Sequence, residues 1–288
     1  MVRIAPVAQA KLKRTLEALR GKIDVRARLE VDPIGVVRRY GDPLDREIIG
    51  LVAAGVAFGN VKTIRNKLEE ITRRVGPSPH EKADDPRALR TALAGFRHRV
   101  FVGDDIARLM IGARLVQKRH ATLGRRFASL FREENDLRES LATLADDIRT
   151  AGDLEARAEA RSRGFAHLLP DPRAGSGVKR LLLYLRWMVR PADGVDFGQW
   201  DVPAAALVIP VDTHIHKLAR NLALTSRKDL SWKTAQEITA ALAVFDPNDP
   251  VKYDFSLCHM GMLQRCPSRR DPKRCEGCAV MPVCRHWG

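Results

Sequence analysis

Three groups of side chains in this sequence have types and spacings suited to chemistry. The first is the run Cys266-x8-Cys275-x2-Cys278-x5-Cys284, which holds four of the five cysteines. Thiolates this close together can converge on one soft metal centre, a zinc ion or an iron–sulfur cluster. A disulfide pair is the alternative, but nothing in the sequence suggests export, and four clustered cysteines suit a metal better. The second is Lys179, which follows Gly175-Ser176-Gly177-Val178. A turn followed by a helix puts this lysine in a first helical turn, where the positive end of the dipole and partial burial both disfavour an ammonium. A neutral amine is a nucleophile and forms Schiff bases. The ordinary reading of a lone lysine is a solvated charge or a phosphate contact. The third is Asp212, directly before a helix expected to start at Thr213. Its ordinary role is the N-cap. A carboxylate held by backbone N–H groups also stays ionised and rigid, which suits it to oppose a developing positive charge.

Other candidates are weaker. His214 and His216 are two apart, point to different sides of a helix and make a poor metal pair; one is expected to be structural and neither to be a ligand. Cys258 reads as a small buried apolar residue. Phe197, Gln199 and Trp200 lie between Lys179 and Asp212 and could stack on or read a base, although packing is the commoner role of such aromatics.

The elements that must position these groups are helical. Apolar residues recur at helical spacing in Val7–Leu19, Ile48–Phe58, Ile106–Leu115, Phe127–Phe131, Leu141–Ile148 and Ala235–Phe245. Strand-like alternation is scarce, and Ala206–Val211 is its best example. Pro and Gly punctuate the chain at Gly41-Asp42-Pro43, Gly76-Pro77-Ser78-Pro79, Leu169-Pro170-Asp171-Pro172, Gly175–Gly177 and Pro247-Asn248-Asp249-Pro250. After Gly177, Val178, Leu181, Leu182, Leu185, Met188 and Val189 keep the spacing of a buried helix face. Lys179, Leu183, Arg186 and Arg190 form a stripe beside it. In the second helix Ile215, Leu218, Ala219 and Leu222 make the apolar stripe, and Pro210 keeps the approach to Asp212 extended. The fold class expected is all-α, mainly or wholly helical.

Composition narrows the partners. The 288 residues carry a formal charge of +15 and a pI near 10.1, which favours a polyanionic partner, nucleic acid or an anionic membrane. Apolar residues make up 45% and charged residues 30%, the balance of a globular chain. Apolar runs such as Ile48–Phe58 and Leu181–Leu185 are too short to span a bilayer, and the N-terminus has no apolar run of the signal-peptide type. A cytoplasmic location, nucleoid-associated in a prokaryote, is expected, where metal thiolates survive.

Taken in order, Gly175-Ser176-Gly177-Val178-Lys179, then Val211-Asp212-Thr213-His214, then the cysteine quartet, the chain resembles the endonuclease III branch of the helix-hairpin-helix DNA glycosylases. The segments Pro272-Lys273-Arg274-Cys275-Glu276-Gly277-Cys278 and Met281-Pro282-Val283-Cys284 look very like that family's cluster loop. Asp45–Lys67 is similar to its first barrel helix, and Lys179–Arg190 is similar to an uncharacterised branch of the superfamily. The specific resemblance runs from about Leu169-Pro170 to the end of the chain. Three features depart from the pattern. The first cysteine gap is eight residues rather than six, Leu169-Pro170 is displaced from the hairpin, and Lys179 and Asp212 are 33 positions apart. The long lysine–aspartate interval is closer to the archaeal 8-oxoguanine glycosylases, which lack the cluster.

The resemblance implies a two-lobed helix-hairpin-helix fold with a DNA cleft. Residues 44–205 would form the helical barrel lobe with the hairpin, and residues 1–43 and 206–288 the cluster lobe. It implies a monomer that acts on double-stranded DNA containing a damaged base. Lys179 and Asp212 would be catalytic, removing an oxidised base, 8-oxoguanine first, with associated AP lyase activity. Gly175, Ser176, Gly177, Arg180, Arg269, Arg270, Lys273 and Arg274 would contact DNA. Cys266, Cys275, Cys278 and Cys284 would hold a [4Fe–4S] cluster, with zinc as runner-up. The alternatives are a monofunctional glycosylase in which Asp212 activates water, and a non-catalytic nucleic-acid-binding module that kept the fold.

Overall fold

The computed structural model describes residues 6–156 and 162–287. The first helices are α1 (Pro6–Lys22), α2 (Val25–Leu29), α3 (Ile34–Val37), α4 (Pro43–Val56), α5 (Val61–Val75), α6 (Pro79–Lys82) and α7 (Pro86–Leu93). A two-residue antiparallel pair, β1 (Arg97–His98) and β2 (Phe101–Val102), matches Arg97 to Val102 and His98 to Phe101. Then come α8 (Gly103–His120), α9 (Leu123–Glu134), α10 (Leu137–Ala156), α11 (Arg163–Leu168) and α12 (Lys179–Val189). The chain continues through α13 (Thr213–Asn221), α14 (Trp232–Ala243), α15 (Asp254–Gln264) and α16 (Pro272–Cys275). The architecture is mostly helical, as periodicity predicts. No helix among the described residues is long and apolar enough to cross a membrane.

Local chemistry explains the helix starts. Asp42 precedes Pro43, and its carboxylate accepts from the N–H groups of Leu44 and Asp45, with proline at a position that needs no N–H donor. Asn60 does the same for Lys62 and Thr63 at the start of α5, whose Ile64, Leu68, Ile71 and Val75 form a buried stripe. Ile48–Phe58 overshoots by two residues: α4 stops at Val56, and Phe58 is exposed.

The helices fall into two compact units. One holds Arg26–Ala174 and Trp187–Val202, the other Met1–Val25, Gly175–Arg186 and Pro203–Gly288. These limits differ from the expected lobes at three places: residues 26–43 group with the larger unit, and Gly175–Arg186 and residues 203–205 with the C-terminal residues. Within the larger unit α8 and α10 approach closely at glycines. A Cβ on Gly112 would lie 2.2 Å from the Ile148 carbonyl oxygen, and one on Gly152 would lie 2.7 Å from that of Arg108. Within the smaller unit the Tyr253 hydroxyl donates to Glu17 Oε1 (2.6 Å) and Lys252 lies 2.8 Å from the same carboxylate, tying α1 to the start of α15.

Two expectations about the approach to the site need correction. Ala206–Val211 forms no strand. A 3-10 turn covers Ala204–Ala206, and the extended residues after it have no strand partner. The Ile209 N–H donates instead to Thr239 Oγ1 (3.0 Å), a side chain of α14. On α12, Leu181, Leu182, Leu185, Met188 and Val189 are buried as expected, but so are Arg186 and, just past the helix end, Arg190, which sequence placed at the border of that face.

Candidate active site and cysteine pocket

Lys179 opens α12 and is half-buried. The turn before it is strained. Gly175 has φ +83°, which glycine adopts freely, but Val178 has φ +33°, a left-handed conformation that a β-branched residue rarely takes. Such a residue stores about 1–3 kcal/mol, and such strain concentrates at functional sites. The turn is held by pairing with the approach to α14. The Gly177 N–H donates to the Leu230 carbonyl (3.0 Å), and the Trp232 N–H donates to the Gly175 carbonyl (3.2 Å). Gly177 has no room for a side chain, because a Cβ there would lie 2.6 Å from the Leu230 oxygen. The Gly177 amide, expected to contact DNA, is thus already engaged within the fold. Arg180 is half-buried, and burial pulls its guanidinium down to about 10.

Asp212 is the N-cap of α13. Its Oδ1 accepts from the N–H groups of His214 and Ile215, both at 2.9 Å. Neither histidine beside it joins a metal-like group: His214 is exposed, and the His216 Nε2–H donates to the Arg227 carbonyl at 3.0 Å. Cys258 is half-buried rather than a full core residue.

Lys179 and Asp212 belong to the same compact unit, which also holds a buried carboxylate that periodicity did not reveal. Asp254, the first residue of α15, is 3% exposed and pairs with Arg186 of α12. Burial pushes the Asp254 carboxyl up. Arg186 and Lys179 pull it down, and Asp212 pushes it up. The carboxylate therefore sits in the field of both proposed catalytic groups. One signal for Arg186 was present in the sequence: it follows Lys179 by seven positions, two helical turns on the same side. No local pattern marks Asp254.

The loop residues flagged as possible base readers are occupied otherwise. Trp200 is buried, and its indole N–H donates to Glu47 Oε1 (2.8 Å). Arg38 and Arg46 both lie over the Phe197 ring, at 5.6 and 4.8 Å. Gln199 bonds Arg46 and the Pro43 carbonyl.

Cys266, Cys275, Cys278 and Cys284 line a single pocket with Leu218, Asn221, Val280, Met281 and Trp287 among its walls. Burial pushes the Cys266 thiol up, an Asn221 hydrogen bond pulls it down, and the three other thiols push it up again. Asn221 Nδ2 donates to Cys266 Sγ (3.3 Å), and its Oδ1 accepts from His286 Nε2 (3.0 Å). Both residues escaped the sequence reading. Among the described residues no three of the sulfurs lie mutually within 4.8 Å. A tetrahedral zinc ion with Zn–S of about 2.3 Å would bring thiolates to about 3.8 Å from one another. Four thiols lining one pocket are a donor set that either a zinc ion or an iron–sulfur cluster can use. The loop also carries Arg269, Arg270, Lys273 and Arg274, all exposed, with the Arg270 guanidinium 4.1 Å from the centre of the Trp287 ring.

The group that does meet a metal-like spacing is Asp42, Asp45 and His80. Its atoms have other work. Asp42 caps α4, and Asp45 Oδ1 accepts from both the backbone N–H and the Nδ1–H of His80 at 2.8 Å, fixing the start of α6.

No curated protein and no solved structure matches the chain. One family matches residues 32–263, a span that includes Lys179, Arg186, Asp212 and Asp254 and stops before Cys266. By that match the chain belongs to the family described as protein of unknown function (DUF2400).

Proposed function

We propose that this protein is a DNA glycosylase with AP lyase activity, which excises a damaged, first of all an oxidised, base from double-stranded DNA. The observation that carries the reading is that Lys179, presented by a strained turn at the start of α12, and Asp212, the N-cap of α13, lie in one compact unit. The net charge of +15 supplies the attraction to a polyanion.

The base leaves the stack to expose its glycosidic bond. The Lys179 Nζ lone pair attacks C1′, the C1′–N bond breaks, and the base departs with that electron pair and takes up a proton. Asp212, held in place by the N–H groups of α13, opposes the positive charge that develops on the sugar. Loss of the amine proton and opening of the ring leave a protonated Schiff base between Lys179 and C1′. Removal of a C2′ proton then expels the 3′ phosphate, and water releases the lysine. Arg180, Arg269, Arg270, Lys273 and Arg274 would neutralise phosphates, each adding about −0.9 to the log–log salt slope.

Cys266, Cys275, Cys278 and Cys284 would hold a [4Fe–4S] cluster. When bound, such a group ties the basic loop to α13 and α15 and couples metal binding to folding. Asn221 and His286 would orient that loop from behind.

The test uses borohydride with duplexes that carry a single abasic site or one oxidised base. Wild type should form a covalent protein–DNA adduct and cleave the strand, and Lys179→Ala should do neither. Base release without cleavage, retained in Lys179→Ala, would assign a water-based monofunctional reaction. Binding without excision of any lesion would remove the enzyme reading altogether.

A further inference from the structure

Two side-chain N–H donors stand at the cysteine pocket, one engaged with sulfur and one without an acceptor. Asn221, the last residue of α13, is buried. Its Nδ2 donates to the Pro267 carbonyl (3.0 Å) and to Cys266 Sγ (3.3 Å). A carbonyl only accepts, so the NH2 end of the amide is the end that faces Pro267 and Cys266. The Oδ1 end is held by His286 Nε2 (3.0 Å), and the Asn221 carbonyl accepts from the Arg285 N–H (2.9 Å). The amide is clamped from both ends with a donor on a cysteine sulfur. The second donor is the Trp287 indole. Trp287 lines the same pocket, and its backbone N–H donates to the Cys284 carbonyl (2.8 Å), which anchors it three residues after that cysteine. The Arg270 guanidinium covers its ring. The indole N–H itself is buried and has no acceptor among the described residues. A buried donor left in that state is costly, and the cysteine sulfurs share its pocket.

We propose that Asn221 and Trp287 donate N–H···S hydrogen bonds to the metal group held by Cys266, Cys275, Cys278 and Cys284, and so set its reduction potential and its rate of loss. Metal-bound sulfur carries negative charge, and each donor draws part of that charge off. Reduction adds an electron, so such bonds favour the reduced form and raise the potential. They also orient the ligands and oppose reprotonation of the thiolates, which slows release of the metal. A donor that served the fold alone would have a partner within the fold, and the Trp287 indole has none among the described residues. The inference rests on the metal reading of the cysteine quartet and is independent of the glycosylase reading.

The test uses full-length protein purified anaerobically with the metal it carries. Trp287→Phe keeps a ring under Arg270 and removes the N–H. Asn221→Asp keeps the shape and an acceptor for His286 but removes both donors. Three quantities are read: metal loss to an added chelator, the one-electron reduction potential by film voltammetry, and the unfolding temperature of protein stripped of metal. Each variant should lose metal about tenfold faster, the low end for an outer-sphere partner. Each should favour the oxidised form about threefold more, which is about 28 mV lower at about 59 mV per tenfold. Stripped Trp287→Phe should unfold at the wild-type temperature or above, because its N–H has no acceptor to lose there. Should Asn221→Asp fail to fold, Trp287→Phe decides alone; in a zinc-loaded protein, which has no couple to read, the release rate decides. Metal-loaded Trp287→Phe with wild-type release and potential would overturn the proposal and leave the metal centre standing. A stripped Trp287→Phe that is destabilised would also overturn it, since the N–H would then serve the fold. Wild type with neither iron nor zinc would overturn the proposal and the metal reading together.

Discussion

Glu47 offers the sharpest stability test, because its carboxylate is fully engaged by four donors from three places in the chain. It is 1% exposed. Oε1 accepts from the Gly124 N–H (2.9 Å) and the Trp200 indole N–H (2.8 Å), while Oε2 accepts from Gln117 Nε2 (2.9 Å) and the Leu123 N–H (2.8 Å). One side chain of α4 thus fixes the end of α8, the first turn of α9 and the loop that carries Trp200. Glu47→Ala leaves four donors without that acceptor. Each unsatisfied buried donor costs about 1–3 kcal/mol, and partial relaxation keeps the total below the sum, so a loss of about 3–5 kcal/mol is expected. Glu47→Gln keeps the shape but turns an NH2 toward two donors, and should lose about 2 kcal/mol. Equilibrium urea unfolding followed by far-UV circular dichroism reads both, with Trp200 fluorescence reporting the freed indole. A loss under about 1 kcal/mol in Glu47→Ala would show that the four bonds do not hold this unit together.

The remaining predictions address the site. Asp212→Asn should keep the α13 cap and its stability while abolishing excision, whereas Asp212→Ala should also lose about 1 kcal/mol on thermal unfolding; an active Asp212→Asn would leave the residue as a cap only. Gly177→Ala should push the turn off Leu230 and raise amide exchange at residues 230–232, and unchanged exchange would mean that the close approach does not matter. Iron and acid-labile sulfide in comparable amounts, with broad visible absorbance, are expected of anaerobically purified protein; stoichiometric zinc without sulfide would reverse the choice of metal. Arg114 and Lys118 hold the Asp84 carboxyl down at about 2. A depressed carboxyl stabilises the fold fully above its ordinary range and loses that contribution as pH falls toward 2. Asp84→Asn should therefore flatten the acid limb of the stability curve between about pH 4 and 2, and an unaltered limb would refute the pairing.

Much of the helical layout could be read from sequence because its causes are local. An Asx side chain before a helix satisfies N–H groups two and three residues on, so Asp42, Asn60 and Asp212 announce their helices. Apolar spacing on α12 depends only on the 3.6-residue turn, and the stripe Leu181, Leu182, Leu185, Met188 and Val189 is buried as that spacing requires. The failures have distant causes. Ala206–Val211 alternates like a strand, yet Ile209 finds its acceptor on Thr239, 30 residues away.

Sequence by itself determined a strongly basic, helical chain with a lysine at a helix start, an aspartate at another and four cysteines in one loop. Each of those is set within a few residues, by backbone geometry or by spacing. Tertiary structure alone decided which of them share an environment. Arg186 looked like the border of a helix face because its counter-ion, Asp254, comes from 68 positions further on. A buried charge is tolerated only where such a partner arrives, and no local pattern records that arrival. The same holds for Asn221, which reaches Cys266 across 45 positions and joins the four cysteines to α13.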